Sequence, residues 1–219
     1  MSGKSSAEVL RVMRNKPERK VFINSYKYFK KDKNDNVYYS FIESVSINDD
    51  SETIEDAVYL SDTLGYYSVG ILKLVKLVLK SKRNFFLKLT CLDFIHSNYL
   101  KIGKTEYSDI NESLRTNKNL FIKLQANVNL LLNSSNEKYR KSILTILSSS
   151  EYPNIFYRFL NMVDSNIPQY SKTVDVDFLK SVEKEFKCLD FSKSNIVEYS
   201  TINQKLINDL QSFERTIKH

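Results

Sequence analysis

From Ser68 to Lys82 the apolar residues Ile71, Leu72, Leu74, Val75, Val78 and Leu79 recur at helical spacings, on one arc and opposite the lysines. A strand would bury every second residue, and that alternation fails here, so the stretch is read as an amphipathic helix. The same period continues downstream, with helices expected at about 109–115, 118–133, 136–148, 153–163, 175–187 and 194–217. Pro153 suits a first helical turn. The last helix is the most regular, because Tyr199, Leu206, Leu210, Phe213 and Ile217 form one row. The run Phe85 to Ile102 (FFLKLTCLDFIHSNYLKI) reads as a buried helix ending at Gly103, with a strand as the alternative. Asp164 to Lys172, with Pro168, reads as a loop.

The N-terminal quarter has a different texture. Ser6 can cap a short helix through Lys16, which Pro17 stops. Lys20 to Phe29 and Val37 to Ile47 are rich in β-branched and aromatic residues and flank the polar cluster KKDKNDN, the pattern of a hairpin. After the loop Asn48-Asp49-Asp50-Ser51, residues 52–63 read as a short helix closed by Gly65. The expected fold is therefore α+β and predominantly α-helical, an N-terminal β-hairpin followed by a multi-helix bundle. Residues 1–64 would form a section of basic helix, hairpin and acidic helix, and residues 65–219 the helical bundle, within one continuous structural unit.

A chain of 219 residues buries roughly 70–75% of its unfolded surface, enough for a core without metal or disulfide staples. Cys91 and Cys188 are too few for a disulfide scaffold and too isolated for a zinc site, so a reducing, intracellular setting is expected, cytoplasmic or nuclear. The opening MSGKSSAEVL lacks the apolar stretch of a signal peptide, and no uncharged run approaches the roughly 20 residues of a membrane span. Alanine occurs only at Ala7, Ala57 and Ala126, while Lys, Asn, Ile, Ser and Tyr abound; that is the bias of an AT-rich genome, as in many viruses, some parasites and some yeasts.

Charge comes in blocks. Residues 1–33 carry a net +7, residues 34–64 a net −8 with no Lys or Arg, and residues 65–104 a net +7 again, while the rest of the chain is close to neutral. If residues 68–82 are helical, Lys73, Lys76, Lys80 and Arg83 lie within roughly an 80° arc opposite the apolar face. With Arg11, Arg14 and Lys20 from the first block they are the candidate residues for binding a polyanion. Lysines outnumber arginines about threefold, which favours phosphate contacts over bidentate reading of base edges. Tyr38, Tyr39, Tyr66 and Tyr67 are candidates for stacking on unpaired bases. An acidic block between two basic ones also permits head-to-tail contact between copies, so a homo-oligomer is a possible product.

Familiar chemistry is missing. Nucleophilic triads need a histidine in the fold, and only His96 and His219 exist; His96 lies in an apolar helix, and Cys91 is not on its face. Glycines at 3, 65, 70 and 103 form neither a P-loop nor a dinucleotide fingerprint. Glu43, Asp49, Asp50, Glu52 and Asp56 are the one set that might gather around Mg²⁺, but clustered acids in a loop and helix cap are far commoner. No enzyme, no metal site and no cofactor is expected. The KPER run at Lys16–Arg19 and the SVGILKLVKLVLKS run from Ser68 to Ser81 resemble fragments of negative-strand RNA virus nucleocapsid and matrix proteins; they cover under a tenth of the chain, and no functional residue carries over from them. The expected function is sequence-independent binding of nucleic acid or ribonucleoprotein by a structural protein, in a virion if the source is viral. The alternatives are an anionic membrane surface as the partner, or a helical adaptor that docks another protein.

Overall fold

The structure, a computed structural model, describes residues 13–14, 35–134, 136–165 and 170–217, and among these there are eleven helices and no strand. The expected β-hairpin is therefore corrected to a mainly α fold. Its second arm, Val37 to Ile47, falls largely in helix α1 (Asp35–Ser44), while the first arm, Lys20 to Phe29, lies outside the described residues. The reason is visible in what α1 and its exit bury: Tyr38, Phe41, Ile42 and Val45. Those spacings of three, four and seven make one helical stripe, and tertiary packing of that stripe overrides the strand preference of Val, Tyr and Phe.

The chain forms two compact units, Met1–Gly103 and Lys104–His219. In the first, α2 (Ser51–Leu64) packs against α1, α3 (Val69–Lys80) and α4 (Phe85–Ser97), and a single turn α5 (Tyr99–Ile102) follows. Local chemistry sets the boundaries. Asp50 caps α2 by accepting from the Glu52 and Thr53 N–H groups, each at 3.1 Å, and Gly65 ends it at a positive φ of 63°. The expected helix over 85–102 breaks at the buried Asn98, whose amide donates to the Phe94 carbonyl at 3.0 Å; the extra turn then ends at Gly103, as read from the sequence. Thr90 on α4 donates to Glu55 on α2 at 3.3 Å, and Ser97 hydrogen-bonds Asp62, so the two helices run side by side in the same direction.

In the second unit, α7 (Leu120–Asn133) is the central helix. It packs against α6 (Lys104–Leu114), α8 (Glu137–Ser148) and α9 (Pro153–Asp164), and is buried without interruption from Leu124 to Leu132. A helix buried all round must satisfy its polar side chains internally. Asn129 donates to Asn111 Oδ1 at 3.0 Å, Asn111 donates to the Tyr107 carbonyl at 2.8 Å, and the Tyr107 hydroxyl donates to the Asn129 carbonyl at 3.1 Å, closing a buried ring between α6 and α7. Helices α10 (Val176–Cys188) and α11 (Lys193–Ile217) complete the unit around an aromatic cluster in which Phe156 contacts Phe186, Phe191 and Tyr199. Of the regular row of the last helix, Tyr199, Leu206 and Leu210 are buried here, and the side chains of Phe213 and Ile217 lie outside the described residues.

Candidate polyanion-binding face

Helix α3 buries Ile71, Leu72, Leu74, Val75, Val78 and Leu79, the set expected from the periodicity. Its other side presents Val69, Lys73, Leu77 and Lys80, all exposed, with Lys76 partly exposed beside them. These residues stand about 5–6 Å apart, one per turn. No carboxylate occurs anywhere in α3, so the row carries one sign of charge only. Val69 is 79% and Leu77 42% exposed, so two aliphatic side chains share this face with the lysines. Lys82 is exposed just past the end of the helix.

The start of α3 is held by a clasp that the sequence did not announce. Ser68 caps the helix through the Ile71 N–H at 3.2 Å, while Glu43 on α1 accepts from the Tyr66 hydroxyl at 3.0 Å and from the Ser68 hydroxyl. The Glu43 carboxylate thereby sits at the positive end of the helix dipole. Gly70 leaves room for it, since a Cβ there would lie 2.6 Å from Glu43 Oε2.

The candidate residues separate into two groups. Lys73, Lys76 and Lys80 lie on the outer face of α3. Arg83 does not join them, because the helix stops at Lys80 and Ser81 is extended, which turns the following residues out of register. Its guanidinium instead donates to the Ile47 and Asp49 carbonyls, each at 2.7 Å, and to the Ser51 hydroxyl at 3.1 Å. Arg14 is committed to the same loop. It pairs with Asp49 at 2.8 Å and donates to the Ser44 carbonyl and hydroxyl. The Ser46 N–H and the Arg14 charge hold the Asp49 carboxyl below the usual carboxylate range, against the opposing effect of burial. Arg11 and Lys20 lie outside the described residues.

The tyrosines proposed for base stacking are also engaged internally. Tyr39 and Tyr66 stack on each other with centroids 4.3 Å apart, Tyr67 stacks on Phe94, and Tyr38 is buried. The acids considered for Mg²⁺ have separate duties: Glu43 in the clasp, Asp49 with Arg14, Asp50 as a cap. Among the described residues no three His, Cys, Asp or Glu side chains group as a metal site. Cys91 is buried, and burial pushes its thiol up. No described helix is long and apolar enough to cross a membrane.

Away from α3, acids gather on the outer side of α2, with Lys101 beside Asp62. On α2 the buried arc runs through Thr53, Ile54, Ala57, Val58, Leu60 and Ser61. That leaves Glu52, Glu55, Asp56 and Asp62 around an exposed Tyr59 on the other side. Asp93 on the neighbouring α4 extends the acidic surface. Sequence reasoning could have found this by carrying the helical projection used for α3 one helix back. In the second unit a shallow groove of 580 Å³ between α10 and α11 is lined by both signs, including Glu183, Lys205 and Asp209. Its Lys205 pairs with Asp164 at 2.7 Å, so the groove offers no uncommitted cation row. The chain matches no protein-family model, no curated protein and no solved structure.

Proposed function

We propose that this protein is a non-enzymatic binding and assembly protein that holds nucleic acid, free or as ribonucleoprotein, without reading its sequence, through the outer face of α3. The observation that carries the reading is a helix face bearing Lys73, Lys76 and Lys80 and no acid, on a helix anchored by its apolar side. Lysine ammonium groups one turn apart suit phosphates as point charges. Arginine, the residue for bidentate contact with guanine, is withdrawn into loop anchoring at Arg14 and Arg83, which favours binding without sequence preference. A structural role of this kind, as in a virus particle, follows from coating rather than reading.

The test is binding of a labelled single-stranded oligonucleotide across a salt series. For a single strand the logarithmic slope falls by about 0.7 per phosphate contact, so Lys73→Ala with Lys80→Ala should flatten it by about 1.4. Affinity that ignores salt, or a slope unchanged in the double variant, removes the proposal. The exposure of Val69 and Leu77 favours a second reading, an anionic membrane surface, in which the lysines meet headgroups and the aliphatics enter the boundary. Flotation with vesicles containing phosphatidylserine, against vesicles of neutral lipid alone, separates the two.

A further inference from the structure

The α3 row raises a question that phosphate binding leaves open, because a polyphosphate chain has no use for Val69 and Leu77. These side chains are 79% and 42% exposed, in line with Lys73 and Lys80. A surface of aliphatics flanked by cations is complementary to one of apolar groups flanked by anions. The first unit carries such a surface. The outer side of α2 sets Tyr59, 36% exposed, among Glu52, Glu55, Asp56 and Asp62. Phe86, 63% exposed, and Asp93 lie on the strip of α4 that runs beside it. The two faces belong to helices that bury their other sides in one core, so they look outward in different directions, and one copy cannot close them on itself.

We infer that the lysine-aliphatic face of α3 docks onto the acidic-aromatic face of α2 and α4 of a second copy of this chain. The contact is heterologous: each copy spends one face and leaves the other free, so copies add head to tail into rings or filaments. It shares α3 with the polyanion-binding reading but does not need that reading to be correct. Where both hold, nucleic acid and the neighbouring copy compete for the same lysines.

Sedimentation velocity of the full chain at low ionic strength, where charge pairs are least screened, tests the contact. The parent chain should form oligomers that dissociate as salt rises. Lys73→Gln with Lys80→Gln, and separately Glu55→Gln with Asp62→Asn, should each weaken self-association at least about tenfold; the amides keep the acceptor oxygens that Thr90 and Ser97 use, so both variants should melt like the parent. The deciding experiment is the equimolar mixture. The first variant retains the acidic face and the second the basic one, so together they should give a discrete one-to-one dimer that does not grow; that result also shows both variants to be folded. A parent chain that stays monomeric, or a mixture that does, overturns the inference. So does assembly that survives the α3 substitutions yet is lost on changing α2, which would assign the acidic face to another basic segment. The Glu55→Gln, Asp62→Asn variant should still bind a single-stranded oligonucleotide, so failure of the nucleic-acid reading would show there, with the mixing result unaffected.

Discussion

The two units handle charge in contrasting ways. In the second unit opposite charges are interleaved and paired within the fold. Glu112 binds Arg115 at 2.6 Å and Lys138 at 3.1 Å, Arg140 binds Asp175 at 2.8 Å, and Lys205 binds Asp164 at 2.7 Å. In the first unit the loop arginines are neutralised, but the lysines of α3 and the acids of α2 are kept on separate outward faces. Polar groups in the interior follow the same division. The central α7 buries Gln125, Asn127 and Asn129, whereas the buried side of α3 is wholly aliphatic. Under the proposed reading the second unit is scaffold and the first carries the binding faces.

Substitutions can break that contrast, and the largest effect belongs in the scaffold. Phe156 is fully buried among Phe186, Phe191 and Tyr199, so Phe156→Ala should cost about 3–5 kcal/mol in a urea unfolding experiment. Oligonucleotide affinity below the melting range should be unchanged; a matching loss of affinity would place the binding determinants in the second unit instead. Next comes Arg83→Ala, which strips two backbone carbonyls and a hydroxyl of their donor, at about 2 kcal/mol. Its salt slope should equal that of the parent. Lys73→Ala should do the reverse, with stability within about 0.5 kcal/mol and a flatter slope. If Arg83→Ala flattens the slope as strongly as Lys73→Ala, the division between anchoring arginines and binding lysines fails.

What was legible in the sequence was local. The ends of α2 and α3 are written in Gly65 and Ser68, and the start of α9 in Pro153, because capping and backbone preference act within a few residues. The outer lysines of α3 were legible for the same reason, being fixed by the period of one helix. Arg83 departs from that period because the helix ends at Lys80, and a two-residue difference in helix length turns its side chain from solvent into a loop. In the α1 segment Tyr, Val and Phe favour a strand, and only the packing partners decide between two stripes that both exist in the sequence. The stacked pair Tyr39 and Tyr66, and the clasp of Glu43 on Ser68, join residues more than twenty positions apart, which no local pattern encodes. The asparagines of α7 would ordinarily be read as a solvated face; the burial of Asn129 becomes intelligible with Asn111 opposite, and that of Asn127 with the Arg115 and Lys123 carbonyls.

Two smaller effects sharpen the contrast. In the second unit, burial alone would raise the Glu112 carboxyl, but hydrogen bonds from Tyr139 and Lys138 and the Arg115 charge together hold it below the usual range. A depressed folded-state value means that the carboxylate stabilises the fold at neutral pH. That contribution is complete above the unfolded-state carboxylate range and is lost as pH falls through the lower, folded-state value. Glu112→Gln should remove it, lowering stability at pH 7 by about 1 kcal/mol or less, since solvent reaches and screens the group. The difference from the parent should shrink on acidification; a difference independent of pH would mean that Glu112 acts through packing.

The smallest effect is expected at the clasp of the first unit. Gly70→Ala offers α3 up to about 1 kcal/mol of helix propensity, but the new methyl meets Glu43 Oε2 at 2.6 Å and displaces it from Tyr66 and Ser68. The two effects oppose each other, so the single variant should be within about 0.5 kcal/mol of the parent. With Glu43→Ala already present the clash is gone, and Gly70→Ala should then stabilise by nearly its full propensity. A double-mutant cycle by thermal unfolding measures the coupling. Zero coupling would show that Glu43 moves aside without cost, and that α3 keeps its position through its aliphatic face alone.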